Sequence, residues 1–126
     1  MTAHPIRDFQ PVPTRPGTRA RDLIATEHGV TSFFVSELLM EEGASVPLHT
    51  HPIEEAWVVT EGALTVRMGD ETLVIPAESV VRIPPGVPHA VRNAGPVQAR
   101  ALAAAPWNRA TFFKEATTYL EGQPRE

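Results

Sequence analysis

The chain has 126 residues, of which 42% are hydrophobic, and this length fits one compact domain rather than two. Its formal net charge of -4 argues against non-specific binding to nucleic acid, because contacts with phosphate groups need a clustered basic face. The absence of cysteine excludes disulfides, thiolate metal ligands and a cysteine nucleophile.

Residues 1–29 are predicted to form an extended N-terminal arm. Their one basic cluster comprises Arg15, Arg19 and Arg21, and the neighbouring Asp22 dilutes it, which favours a solvated arm over a nucleic-acid site. The first residues lack the apolar core of a secretory signal, and no apolar run is long enough to span a bilayer. We therefore expect a cytoplasmic protein that binds neither nucleic acid nor a membrane.

Residues 30–105 are predicted to form a series of short β-strands. Residues 31–40 are rich in aromatic and branched side chains and are followed by two glutamates and Gly43, as a strand ending in a turn would be. Further short runs follow, and Gly62 and Gly69 lie in the turns that separate three of them. Many short strands at regular spacing predict an all-β sandwich or barrel.

Residues 106–126 are predicted to form a short C-terminal helix that packs on the barrel. Four hydrophobic residues recur there at helical spacing: Phe112, Ala116, Tyr119 and Leu120. Asn108 is a suitable residue to cap the start of this helix, and Gly122 is a suitable residue to end it.

His49 and His51 lie one residue apart in a predicted strand. Because alternate residues of a strand point to the same face, the two imidazoles can converge on one ion. Glu55 follows at a further even offset, and Pro52 predicts a bend that brings its carboxylate back towards the histidines. Two histidines at this spacing also arise by chance, so the pair needs support from the surrounding sequence.

That support comes from two motifs that resemble those of the cupin family. The first motif has five, one, three and six intervening residues between its members: Gly43, His49, His51, Glu55 and Gly62. The second motif has one, two and three intervening residues between its members: Pro84, Gly86, His89 and Asn93. The glycine that usually opens the second motif would fall at position 78, where this chain has Glu78. This departure affects a turn and removes no ligand.

The resemblance implies an all-β jelly-roll barrel, also called a double-stranded β-helix, with one divalent transition metal per chain. The implied metal ligands are His49, His51, Glu55 and His89. Three imidazole nitrogens and one carboxylate oxygen suit Fe(II), Mn(II), Ni(II), Co(II), Zn(II) or Cu(II), and this donor set does not choose among them. Metal binding is expected to weaken as the histidines protonate below about pH 6.5.

Three residues are candidates for catalysis: Glu55, Glu54 and Arg82. Glu54 points away from Glu55 in an extended segment, so it would be a solvated carboxylate or a group that supports the ligands. Arg82 interrupts an apolar strand. Facing inwards it would bind a substrate carboxylate, and facing outwards it would be a surface or dimer-interface charge. Trp57 and Val59 continue the face of Glu55 and are expected to line a pocket or to pack in the barrel.

The resemblance favours a metal-dependent enzyme that acts on a small organic molecule, with a dioxygenase as the first hypothesis. A metal-dependent isomerase, decarboxylase or lyase is an alternative, and so is a non-catalytic module that binds a metal or a small metabolite. We also expect a homodimer, because a barrel of this size has exposed strand edges that a second copy would protect.

Overall fold

The computed structural model describes residues 3–108, Phe112 and residues 117–120, and the structural statements below refer to these residues. Short 3-10 helices lie at Ile6–Asp8 and Thr26–His28. The strands are β1 (Val12–Arg15), β2 (Thr18–Ile24), β3 (Phe34–Met40), β4 (Ser45–Thr50), β5 (Glu55–Glu61), β6 (Ala63–Met68), β7 (Glu71–Pro76), β8 (Ser79–Ile83), β9 (His89–Arg92), β10 (Ala99–Ala105) and β11 (Thr118–Tyr119). In this part of the chain no helix is long and apolar enough to cross a membrane.

The strands form two antiparallel sheets that face each other, as the sequence predicted. The first sheet, sheet A, has the order β1-β2-β3-β10-β5-β8, and the second, sheet B, has the order β11-β4-β9-β6-β7. Burial alternates along the strands, so that in β5 Glu55, Trp57 and Val59 are buried while Val58 is exposed. The inward-facing side chains form one hydrophobic core between the sheets.

The N-terminal segment differs from the predicted solvated arm, because β1 and β2 extend sheet A beyond β3. Arg21 places its Nε and Nη2 atoms 2.7 and 2.6 Å from Oε1 of Glu37, a residue of β3 that is only 3% exposed. A buried carboxylate needs such a partner. Within the basic cluster, Arg21 is therefore paired with a buried carboxylate rather than solvated, whereas Arg19 is exposed.

The C-terminal segment also differs from its prediction where it is described. Thr118 and Tyr119 form β11, which pairs with β4 opposite Thr50 and His49, and the Leu120 N–H donates to the Leu48 carbonyl at 3.0 Å. Pairing with the edge of β4 satisfies backbone groups that a helix could not reach, so the helical prediction is wrong at Tyr119. The rest of the predicted helix, residues 109–111, 113–116 and 121–126, lies outside the described residues.

The turn before β8 keeps its shape although a glutamate replaces the usual glycine. Glu78 has a φ of 64°, the left-handed region that favours glycine, and its N–H donates to the Val59 carbonyl at 2.7 Å. At the other end of the second motif, Asn93 braces a turn. Its Nδ2 donates to the carbonyls of Met40 and Val97, both at 2.8 Å.

Candidate metal centre

Four potential ligands meet at one end of the barrel, between the two sheets. His49 lies near the end of β4 and His51 just after it, Glu55 is the first residue of β5, and His89 is the first residue of β9. All four are buried, with exposed fractions between 1% and 4%. The spacing in the two motifs is therefore explained by strands that begin or end at the same level of the barrel.

The ligand atoms of these four residues are close enough to share one ion. One atom from each residue lies within 4.8 Å of the others. Glu55 Oε1 is 3.2 Å from His89 Nε2 and 3.7 Å from His51 Nε2. Bonds of about 2.0–2.2 Å to a central ion separate tetrahedral ligands by roughly 3.4 Å, so these two distances fit a metal site.

Hydrogen bonds at the outer side of the rings fix the tautomers of two of the three histidines. His49 Nδ1 is 2.6 Å from the Pro47 carbonyl, and His89 Nδ1 is 2.9 Å from the Val87 carbonyl. A carbonyl oxygen only accepts, so each Nδ1 carries the hydrogen and donates it. In each neutral ring the Nε2 atom then holds a lone pair that points towards the cluster.

The centre of the cluster consequently contains acceptors without a donor among them. The His89 Nε2 lone pair and the Glu55 carboxylate oxygen face each other at 3.2 Å, and His51 Nε2 has no hydrogen-bond partner within the described part of the chain. Buried lone pairs of this kind are costly unless a cation or a proton satisfies them. The donor chemistry of these residues therefore fits a divalent metal, as the motifs implied.

Burial holds two of these histidines in the neutral form that a metal requires. It lowers the pKa of His49 to about 4 and that of His51 to about 3, with the charge of the neighbouring imidazoles as the second cause. Protons therefore compete with a metal for these two rings only in strongly acidic solution. For His49 and His51 this corrects the expectation, based on an ordinary histidine, that competition begins near pH 6.5.

Residues from both ends of the described chain surround the cluster. These contacts were not predicted from the sequence. Tyr119 of β11 places its ring 5.6 Å from that of His49, and its hydroxyl accepts a hydrogen bond from Arg15 Nη2 at 2.9 Å. Thr117 Oγ1 lies 2.9 Å from His51 Nδ1. These contacts join residues that are 104 and 66 positions apart, and no short motif reports pairs at such separations.

Of the three catalytic candidates, only Glu55 lies in the cluster. Glu54 is exposed and is not one of the four clustered residues. Arg82 is also exposed and pairs with Ala56 on the outer face of sheet A, so the structure settles its direction as outward. An Arg82 side chain inside the barrel among the potential metal ligands is therefore excluded by its position in β8.

A groove of about 410 Å³ at this end of sheet A is lined by all three catalytic candidates, together with other residues. Its lining is mostly apolar and consists of Phe33, Phe34, Glu54, Glu55, Ala56, Arg82, Ala104, Ala105 and Pro106. Glu55 borders both the groove and the cluster, whereas Ala56, Arg82 and Ala104 are cross-strand neighbours on the outer face of sheet A. Glu54 and Arg82 are polar residues of that groove rather than partners of the ligands.

Trp57 and Val59 face the barrel interior on the same side of β5 as Glu55. They are 4% and 1% exposed and belong to the hydrophobic core. The Trp57 Nε1–H has no hydrogen-bond partner within the described residues. The packing role that the sequence predicted is confirmed, and the indole also offers a free donor in the interior.

Comparison with known proteins supports the same family as the motifs. A family model described as a cupin domain matches residues 36–104. Protein SchB of Streptomyces halstedii is 34% identical over 94 residues, which are 74% of this chain and 68% of SchB. The tetracenomycin polyketide synthase protein TcmJ of Streptomyces glaucescens is 30% identical over 90 residues, which are 70% of this chain but only 60% of TcmJ.

Solved structures agree with this comparison. The polyketide cyclase RemF from Streptomyces resistomycificus is 26% identical, with a TM-score of 0.77 over 92% of this chain and 89% of RemF. KdgF from Halomonas has a TM-score of 0.76 over 89% of this chain and 99% of KdgF, at 13% identity. The likeness to KdgF shows the fold alone.

Proposed function

The chain belongs to the cupin family, whose model covers more than half of its residues, and from this premise we propose that it is a metal-dependent cyclase acting on a polyketide intermediate. The observation that carries the proposal is the buried set of acceptors formed by His49, His51, Glu55 and His89, which fits a divalent ion.

The relatives supply the substrate class. RemF is described as a polyketide cyclase and TcmJ as a polyketide synthase protein. SchB and TcmJ share 34% and 30% identity with this chain, and RemF shares its fold over most of both chains. These likenesses favour cyclisation over the oxygenase reaction that was the first hypothesis from sequence.

The cluster suits the chemistry of a polyketide. Such chains contain repeated 1,3-dicarbonyl units, and ring closure begins when a carbon between two carbonyls loses a proton. A divalent ion in the site would supply Lewis acidity that favours the enolate. Glu55 presents Oε1 to His51 and His89, and its carboxylate would accept the proton.

The surroundings of the cluster suit an extended, largely apolar substrate. The substrate would lie in the groove of about 410 Å³ that Glu55 borders, with apolar contact along Phe33 and Ala104. Arg82 would bind an anionic or carbonyl group of the substrate within that groove, and Glu54 would bind a hydroxyl group.

The test combines metal reconstitution with product analysis. The metal-free protein is loaded in turn with Zn²⁺, Fe²⁺, Mn²⁺, Ni²⁺, Co²⁺ and Cu²⁺ and is incubated with a poly-β-ketone thioester under air while oxygen consumption is recorded. A cyclase gives a product that keeps the mass of the substrate or loses water, without oxygen uptake. The Glu55→Ala variant should abolish this conversion, and the Glu54→Ala variant should reduce it far less, because Glu54 is exposed and outside the cluster.

Other outcomes of the same experiment would overturn the proposal. Oxygen uptake with a product that gains oxygen would favour the dioxygenase hypothesis. If the thioester is not converted, the same loaded proteins are incubated with a hydroxy acid and a sugar derivative, and their conversion would favour an isomerase, decarboxylase or lyase. Stoichiometric binding without turnover would favour a non-catalytic binding module.

A further inference from the structure

We propose that Thr117 is a positioning residue that fixes the tautomer and orientation of His51 as a metal ligand. The inference rests on the metal-binding part of the proposed function and does not depend on the cyclase reaction. It concerns a side chain that lies outside both motifs and 66 positions from the histidine that it contacts.

The direction of two hydrogen bonds carries the argument. Thr117 Oγ1 lies 2.5 Å from the Phe112 carbonyl, which only accepts, so the single hydroxyl hydrogen of Thr117 is donated there. The same Oγ1 lies 2.9 Å from His51 Nδ1 and can then act only as an acceptor. His51 must therefore carry its hydrogen on Nδ1, which leaves the Nε2 lone pair free for the cluster.

His51 differs in this respect from the other two histidines. His49 and His89 donate their Nδ1–H groups to the backbone carbonyls of Pro47 and Val87, two residues before each ring. Those acceptors are part of the local backbone, and a side-chain substitution does not remove them. His51 depends on one hydroxyl group, so its tautomer can be altered by a single substitution.

Packing adds to the hydrogen bond. The Phe112 ring lies 4.0 Å from the His51 ring at an interplanar angle of 31°, and Phe112 and Thr117 are 0% and 2% exposed. Phe112 also contacts Phe34 of β3, which anchors it to the end of sheet A. One residue, Phe112, thus orders the carbonyl that orients Thr117 and also restricts rotation of the imidazole.

The first test measures the tautomer in the metal-free protein. In the ¹H–¹⁵N spectra of the imidazole rings, His51 of the wild-type protein should be the Nδ1–H tautomer. Thr117→Val keeps the shape of the side chain but removes the acceptor, so His51 should become a mixture of tautomers, whereas Thr117→Ser should retain the wild-type pattern. A wild-type His51 with its hydrogen on Nε2 would overturn the proposal even if Thr117→Val failed to fold.

The second test measures zinc affinity with a competing chromophoric chelator. Loss of a hydrogen-bond partner of a ligand typically weakens metal affinity by about 10–100-fold, and we expect this effect for Thr117→Val but not for Thr117→Ser. Thr118→Val is the matched control, because Thr118 is the exposed neighbour of Thr117 in the chain. Far-ultraviolet circular dichroism reports whether each variant keeps the wild-type fold.

The outcomes separate this inference from the proposed function. If the wild-type protein binds one zinc ion per chain and folded Thr117→Val binds it equally well, the positioning role is overturned while the metal centre stands. If the wild-type protein binds neither zinc nor any other divalent ion, the positioning role and the metal centre are both overturned. Zinc binding without cyclisation would overturn only the proposed reaction.

Discussion

The Nε2 atom of His89 lies 3.2 Å from the Oε1 atom of Glu55, and both atoms face the centre of the cluster as acceptors. The contact is repulsive when His89 is neutral with its hydrogen on Nδ1, as its bond to the Val87 carbonyl requires. A cation between the two atoms reverses the sign of the interaction. The same arrangement that is costly in the metal-free protein therefore stabilises the loaded one.

Zinc should accordingly raise the thermal stability of the protein. A ligand present at 100 times its dissociation constant stabilises the folded state by about 2.7 kcal/mol, which corresponds to a rise in Tm of roughly 10 °C for a domain of this size. Differential scanning fluorimetry with and without zinc measures this shift. His89→Ala should abolish it, and His4→Ala should retain it, because His4 is exposed and outside the cluster. An equal shift in both variants would contradict the assigned site.

The metal-free protein should lose stability as the pH falls below 6.5. The pKa values of His49 and His51 are lowered to about 4 and about 3, so in this range the unfolded chain binds more protons than the folded one. The histidines therefore do not lower the free energy of unfolding above pH 6.5. Below pH 6.5 each histidine lowers it by about 1.4 kcal/mol per pH unit, until the pH reaches the pKa of that histidine in the folded protein.

Urea unfolding between about pH 7 and pH 5 measures this dependence before most carboxylates titrate. Replacing one titrating ring, in His49→Gln, should flatten the pH dependence, whereas His4→Gln should leave it unchanged. A stability that does not change over this interval in the wild-type protein would contradict neutral, buried histidines.

Much of the fold and all four residues of the candidate metal centre could be predicted from the sequence, because both depend on short-range patterns. Alternating apolar and polar side chains, together with turn residues, predict strands. The spacing of His49, His51 and Glu55 predicts a strand followed by a bend. His89 was added by the second motif rather than by geometry. In each case, the sequence pattern that supports the prediction lies within about 20 residues of chain.

The remaining features depend on contacts between distant parts of the chain. Tyr119 fits a helical spacing, and only the available edge of β4 explains why it is in a strand. Arg82 lies between residues that are all apolar, so alternation in the sequence could not give its direction. Thr117 and Arg15 approach the cluster through the tertiary fold, which no local pattern encodes.

Replacing Glu78 with glycine should stabilise the protein. Glu78 adopts a φ of 64°, and a left-handed conformation costs a residue with a Cβ atom roughly 1–2 kcal/mol. Glycine avoids this cost but loses more entropy on folding, so we expect the free energy of unfolding to rise by about 1 kcal/mol. Urea unfolding measures the change. Glu71→Gly is the control, because Glu71 is an exposed residue of β7 where glycine only weakens a strand. Equal destabilisation in both variants would contradict strain at Glu78.

The homodimer remains a prediction, and we expect a second copy to bind at an apolar row beside the groove on the outer face of sheet A. Val58 and Val80 lie opposite each other on adjacent strands, and they are 40% and 59% exposed. Leu102 lies opposite Val58 on the other side, so an apolar row crosses three strands. Rows of this kind favour burial against a partner, because removing apolar surface from water stabilises the complex.

Charge placed within this row should therefore separate the two copies. We expect size-exclusion chromatography with light scattering to return a dimer for the wild-type protein and a monomer for the Val58→Glu, Val80→Glu double variant, since two buried carboxylates would face each other across the interface. Val97→Glu is the matched control, because Val97 is 61% exposed and lies outside the strands. A monomeric wild-type protein would contradict the dimer, and a dimeric double variant would place its interface on another surface, such as the free edges of β1 and β8.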